Sequence, residues 1–217
     1  MGMKWQFAKL FLLLMIVLML MAGSTPRRKA VPANSIAVSL NALPVVESGD
    51  LVFRRTNSVG GQFVAMLDRE QSFSHVGIAY TGMDKVYVIH VLPVGNEEVR
   101  IEPLQTFVEQ STSLAIYRPH GIEQRVISNA VRNALSWVGR KRFDRDFDIF
   151  SDNMLYCTEL VYKAYKDAGI DITDGQFNSV DFPFLKVKEV IYPSLIIESG
   201  HFTLIYSTVT PLKGDER

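Results

Sequence analysis

Cys157 is the sole cysteine of the 217-residue chain, and a thiol becomes a strong nucleophile once a base stands beside it. Leu160, Val161, Ala164 and Ala168 follow it at i+3, i+4, i+7 and i+11. The helix predicted from about Met154 to Ala168, capped by Asp152 or Asn153 and ended by Gly169, therefore carries Cys157 in its first turn, on the buried face. Free N–H groups and peptide dipoles at a helix start favour negative charge. They lower a thiol's pKa and can hold an oxyanion. A buried cysteine is equally at home as core packing.

The candidate base lies well upstream. Residues 74–80 and 85–91 alternate as two strands around Thr81-Gly82-Met83-Asp84. His75, Gly77 and Ala79 share one face of the first strand, and Val86, Val88 and His90 share a face of the second. A symmetric four-residue turn pairs Tyr80 with Lys85 and His75 with His90, setting two imidazoles side by side. That spacing suits a base and the group that orients it. Gly77 leaves room beside His75 for a ligand, and Ser74 and Tyr156, next to the two reactive residues, join it as pocket or oxyanion candidates. Cys157 with the two histidines also makes a possible zinc set, though no HxxxH or CxxC spacing accompanies it. Asp144, Asp146 and Asp148 alternate, but no glycine-centred loop with a terminal Glu follows, so they read as loop capping rather than a calcium site. His120 and His201 follow Pro119 and Gly200 and read as turn residues. No metal or cofactor is expected.

These side chains need a scaffold. Short strands are predicted at Asp50–Arg54, Glu98–Ile101, Leu114–Tyr117, Pro193–Ile197 and Phe202–Ser207, with a helical stretch at Phe63–Leu67 and a short helix from Pro103. Ile127, Ala130, Val131, Ala134 and Val138 mark a helix stopped by Gly139. The sum is an α+β domain, an antiparallel sheet of about five or six strands packed against two main helices.

Three segments carry a family resemblance: Gly49-Asp50-Leu51-Val52-Phe53, Ser74-His75-Val76-Gly77-Ile78, and Leu155-Tyr156-Cys157-Thr158-Glu159-Leu160-Val161-Tyr162-Lys163-Ala164-Tyr165. Together with Phe143-Asp144-Arg145-Asp146-Phe147-Asp148 they resemble the YiiX-like permuted papain-fold cysteine hydrolases, the circularly permuted branch of the NlpC-type superfamily. The resemblance spans roughly residues 47–207. It implies that the His-bearing strands precede the Cys-bearing helix, with Cys157 as nucleophile, His75 as base and His90 at the third, orienting position, where many members have a carboxylate. A neutral imidazole there stabilises a cationic His75 less than a carboxylate would. The implied activity is cleavage of an amide or ester through a Cys157 thioester, with a lipid-linked or cell-wall peptide as substrate. A lipid acyltransferase or thioesterase on the same fold, and a non-catalytic binding module with Cys157 as packing, are the alternatives.

Length and charge set the bounds. Apolar residues make up 47% and charged residues 21%, too apolar a balance for disorder. Lys4 and Lys9 precede an unbroken apolar run, Leu10–Ala22. At thirteen residues it has the length of a signal-peptide core and is shorter than the roughly 20 of a spanning helix. Residues 1–24 thus read as a signal peptide or N-terminal anchor, 25–46 as a linker, and 47–210 as the hydrolase domain. Export to the periplasm or cell envelope follows, with possible association with a membrane surface. Without Lys4 and Lys9 the net charge is −2, which offers nucleic acid no basic stripe. The partners expected are small-molecule, lipid or peptide substrates.

Overall fold

In the computed structural model the described residues are 43–56, 68, 72–82, 85–182 and 185–209, all within the compact unit that spans residues 35–217. The N-terminal segment and the helical stretch predicted at Phe63–Leu67 lie outside them.

Six strands form one antiparallel sheet in the order β10-β5-β1-β2-β3-β4. These are β1 (Leu51–Arg55), β2 (His75–Gly82), β3 (Lys85–His90), β4 (Arg100–Pro103), β5 (Ser113–Pro119) and β10 (Phe202–Ser207). Two main helices, α2 (Gln124–Ser136) and α3 (Cys157–Asp167), pack together and against β2. A short helix, α1 (Leu104–Glu109), packs against β3 and β4. A parallel pair, β6 (Arg142–Phe143) with β7 (Met154–Leu155), and a hairpin, β8 (Asn178–Phe182) with β9 (Leu185–Val190), complete the strands. The predicted α+β class, strand number and helix pair match this architecture.

Period-two alternation divides the sheet into two faces. Leu51, Phe53, Val76, Ile78 and Ile89 pack with Ala130, Ala134, Leu160, Val161 and Tyr165 on the α2/α3 side. Val52, Ala79 and Val88 pack with Leu104, Phe107 and Val108 under α1. Each fully buried Leu, Ile or Phe contributes about 1.5–3 kcal/mol, so the α2/α3 side, with far more of them, carries most of the stabilisation. The Gly49-Asp50 pair locks the start of β1 onto this core. Gly49 has φ +97°, a Cβ there would stand 2.2 Å from Ile127 Cγ2, and its carbonyl accepts the Tyr165 hydroxyl at 2.8 Å. Asp50, buried, accepts the Glu47 N–H at 2.8 Å and both Arg118 Nε and Nη2, at 3.0 and 2.8 Å.

Three expectations need correction. Pro193–Ile197 is not a strand but the start of helix α4 (Pro193–Glu198), with proline at the first helical position, where its missing N–H costs nothing. The Cys157 helix starts at Cys157 rather than Met154, with Tyr156 as its N-cap instead of Asp152 or Asn153, because Met154 and Leu155 pair with Arg142 and Phe143. The hairpin register is also shifted: Gly82 pairs with Lys85 and Ile78 with Ile89. The connection is two residues long rather than four, which sets Gly77, not His75, across from His90. A slip of one residue would have turned His90 to the other face. A slip of two keeps both histidines on one face, as predicted.

Candidate active site

His75 opens β2 opposite Arg54 of β1, and both side chains lie on the α1 side of the sheet. His90 ends β3 two positions along from the cross-strand partner of His75, a diagonal within reach of long side chains. Its Nδ1 lies 3.0 Å from His75 Nε2. The ring of Phe107 from α1 lies 5.6 Å from the His75 ring and 5.3 Å from that of His90. His90 Nε2 faces Glu102 Oε2 of β4 at 3.4 Å. Arg54, 1% exposed, donates from Nη1 to the Phe107 carbonyl at 3.0 Å, stands 3.8 Å from Glu102 and stacks on the Phe107 ring at 3.9 Å.

Cys157 approaches from the other side. It is the first residue of α3, half-buried, and packs against the α2/α3 core. The backbone N–H groups of Val76, Thr158 and Cys157 itself act on its thiol, each favouring the ionised form. Val76 N belongs to the peptide that joins it to His75, so one of these groups lies in the backbone beside the candidate base. No hydrogen bond joins Cys157 to His75 among the described residues. His75 directs Nε2 to His90, and the nitrogen left for the thiol is Nδ1.

Burial governs the protonation states. It pushes the Cys157 thiol up to about 11, against the three N–H groups and the Arg54 cation, which pull it down. The helix start was expected to lower this pKa; it does pull downward, but the loss of water outweighs it. Burial also holds His75 well below the usual imidazole range, with Arg54, His90 and Arg100 adding cationic repulsion in that order. His90 is lowered by burial too, and Glu102 opposes that. Glu102 is held below the usual carboxylate range, first by the His90 side chain that faces it. Arg54 is lowered by burial to about 10 and remains a cation at neutral pH.

The three pocket candidates have other partners. Tyr156 is 3% exposed, its ring lies 5.3 Å from Phe147, and its hydroxyl accepts the Ile191 N–H at 3.1 Å. It is core and cap, and the oxyanion role expected of it has no support in this arrangement. Ser74 is buried, with Oγ accepting the Thr56 N–H at 3.4 Å. The space at Gly77 is not free for a ligand: a Cβ there would meet Val88 Cγ1 at 2.4 Å and His90 Cβ at 3.0 Å. Glycine is needed there so that β3 can bring His90 in.

His75 and His90 also fit a metal poorly. A shared ion needs both lone pairs aimed at one point about 2.1 Å away, whereas these nitrogens face each other. Among the described residues no group of three His, Cys, Asp or Glu side chains could hold a metal ion. Asp144, fully buried, folds its own loop, accepting the N–H groups of Asp146 at 2.9 Å and Asp148 at 2.7 Å. His201 pairs with Asp174 at 3.0 Å, and the His120 N–H bonds the His201 carbonyl.

Arg54, Glu102, Phe107 and Glu159 were not anticipated. Glu159 is fully buried and accepts the Tyr156 N–H at 3.1 Å, fixing the first turn of α3, while Lys163 lies 2.8 Å away. Burial pushes its carboxyl up to about 7. A Glu two residues after the cysteine, three after the cap, was a legible capping signal.

No curated protein matches the chain. A crystal structure described as metalloprotein yiiX from Escherichia coli O157:H7 is similar to it at 20% identity, with a TM-score of 0.61, covering 74% of this chain and 96% of that one. At that identity the likeness speaks for the fold, which is the permuted papain-like one expected. The profile of the permuted papain-like amidase enzymes, YaeF/YiiX, C92 family, matches residues 45–206, a span that contains β1, the His75–His90 pair and all of α3, and the chain belongs to that family.

Proposed function

We propose that this protein is a cysteine amidase in which Cys157 is the nucleophile and His75 Nδ1 the general base. The observation that supports the reading is that the Val76 N–H, in the peptide next to His75, acts on the Cys157 thiol, while His75 and His90 pair at 3.0 Å. A thiol titrating at about 11 is ionised in about one molecule in 10⁴ at neutral pH, and a strongly lowered His75 is neutral. These directions support a neutral pair at rest rather than a standing thiolate–imidazolium.

The proton then moves as the bond forms. His75 Nδ1 takes the thiol proton while Sγ attacks the carbonyl carbon, and the N–H of Cys157 holds the oxyanion. The imidazolium returns the proton to the leaving amine as the C–N bond breaks. Water, deprotonated by His75, attacks the thioester, releasing the acid and restoring the thiol. An exported enzyme acting in the cell envelope on a lipid-linked or cell-wall peptide amide is the setting we propose, on the N-terminal apolar run. An ester is attacked by the same chemistry.

Turnover by Cys157→Ala and His75→Ala, assayed on a panel of fatty-acyl and peptidyl amides, tests the reading. Loss of hydrolysis in both, with unchanged circular dichroism, is the expected result. Hydrolysis by Cys157→Ala at the wild-type rate overturns it.

A further inference from the structure

The series of facing polar groups does not end at His90. β3 and β4 pair with Val88 opposite Glu102, so Glu102 projects from the same face as Val88 and His90. Its carboxylate lies 3.4 Å from His90 Nε2. The contact is too long and poorly aimed to count as a hydrogen bond at rest, yet neither atom has any hydrogen-bond partner among the described residues, which leaves each as the group the other faces. The other oxygen of Glu102 accepts from Gln110 Nε2 at 3.4 Å, and Arg54 Nη1 stands 3.8 Å away. The carboxylate is thus fixed from β1 and from the end of α1 as well as from its own strand.

Only one proton arrangement fits this geometry. An ionised carboxylate can only accept, so His90 donates from Nε2 and keeps its lone pair on Nδ1. His90 Nδ1 then accepts from His75 Nε2. His75, with its proton on Nε2, keeps the lone pair on Nδ1, the nitrogen the proposed base needs. We infer that Glu102 is a positioning residue that sets the tautomers of both histidines, so that the carboxylate of the Cys157–His75–His90 series stands one strand further out, on β4. This rests on the proposed function for its catalytic consequence, but the tautomers themselves exist in the resting protein.

Charged groups face the pair from each neighbouring element: Arg54 on β1, and Arg100 and Glu102 on β4; α1 contributes Phe107 and the residue after it Gln110. The two arginines repel protons from both histidines, and Glu102 opposes them at His90. Removing Glu102 should therefore make His90 harder to protonate.

The test is nitrogen-15 NMR of histidine-labelled protein, read alongside kinetics, for wild type, Glu102→Gln and Glu102→Ala. Wild type should show His75 and His90 both protonated on Nε2. Glu102→Gln, whose amide oxygen still accepts, should keep both tautomers and lose about tenfold in kcat. Glu102→Ala should lose the fixed tautomers and about a hundredfold in kcat, with KM unchanged. His75 protonated on Nδ1 in the wild type, or unaltered tautomers in Glu102→Ala, overturns the inference. An inactive wild type with the expected tautomers would count against the proposed function alone.

Discussion

The two faces of the sheet solve opposite problems with the same strands. On the α2/α3 side, Leu51, Phe53, Val76, Ile78 and Ile89 meet helix side chains in unbroken hydrocarbon. On the α1 side the same strands present Arg54, His75 and His90, with Glu102 added by β4, and a single aromatic ring, Phe107, touches Arg54 and both histidines. The first face gains free energy from burial and has no use for exact polar geometry. The second spends some of that stability holding buried polar groups whose protonation depends on each neighbour. Cys157 packs against the first face and His75 projects from the second, at the start of β2. Stability and chemistry should therefore be separable by mutation.

The largest contrast sets His75→Ala against Phe53→Ala. His75→Ala should lower kcat/KM by about 10²–10⁴-fold with little change in Tm. Phe53→Ala, which deletes a fully buried ring tilted against Phe73 and edge-to-face with Tyr117, should cost about 3–5 kcal/mol in urea unfolding and leave kcat nearly unchanged while folded. Comparable catalytic losses in both would erase the division between the faces.

Gly77→Ala tests the boundary. Its Cβ would stand 2.4 Å from Val88 Cγ1, so β3 must shift and carry His90 with it. A loss of about 1–3 kcal/mol together with a fall in kcat is expected, measured on one preparation by thermal melting and steady-state kinetics. A stable, fully active variant would mean that the approach of β3 to Gly77 does not position His90.

The protonation states predict a pH signature. Iodoacetamide alkylation of Cys157 should be slow at pH 7 and climb toward about 11, while the acid limb of kcat/KM should fall well below the ordinary imidazole value, where His75 protonates. Fast alkylation at pH 6 would instead favour a standing ion pair.

The smallest effect is at Glu159. Its folded pKa, about 7, is raised above the ordinary 4.5. The stability this contributes is fully present below about pH 4.5 and is lost as pH rises through about 7, at most about 3 kcal/mol. Glu159→Gln keeps an acceptor for the Tyr156 N–H and should remove that slope, so the difference in Tm between wild type and variant should change from pH 5 to pH 8. A constant difference across that range would place the Glu159 pKa elsewhere.

Periodicity made much of this molecule legible before any coordinates. The apolar stripe from Leu160 to Ala168 placed α3, and the alternation of His75, Gly77 and Ala79 gave the shared face. The face survived a wrong register because parity, not pairing, decides which way a side chain points. Arg54 and Glu102 were hidden for a different reason. Each is an ordinary charged residue in a short strand, and its meaning comes from strand order: β1 beside β2 and β4 beside β3. A single chain does not display its neighbours. Tyr156 misled because nearness in sequence to Cys157 says nothing about a ring that turns into the core to meet Ile191.

The proposed reaction turns on a covalent step at one sulfur, assisted by one imidazole. Intact-mass and peptide-level mass spectrometry of protein quenched with acid during turnover of an activated acyl substrate tests it most directly. Wild type should carry one acyl group, on Cys157, and His75→Ala should carry almost none. Turnover with no acyl group on Cys157, or equal acylation in the two proteins, would contradict the account.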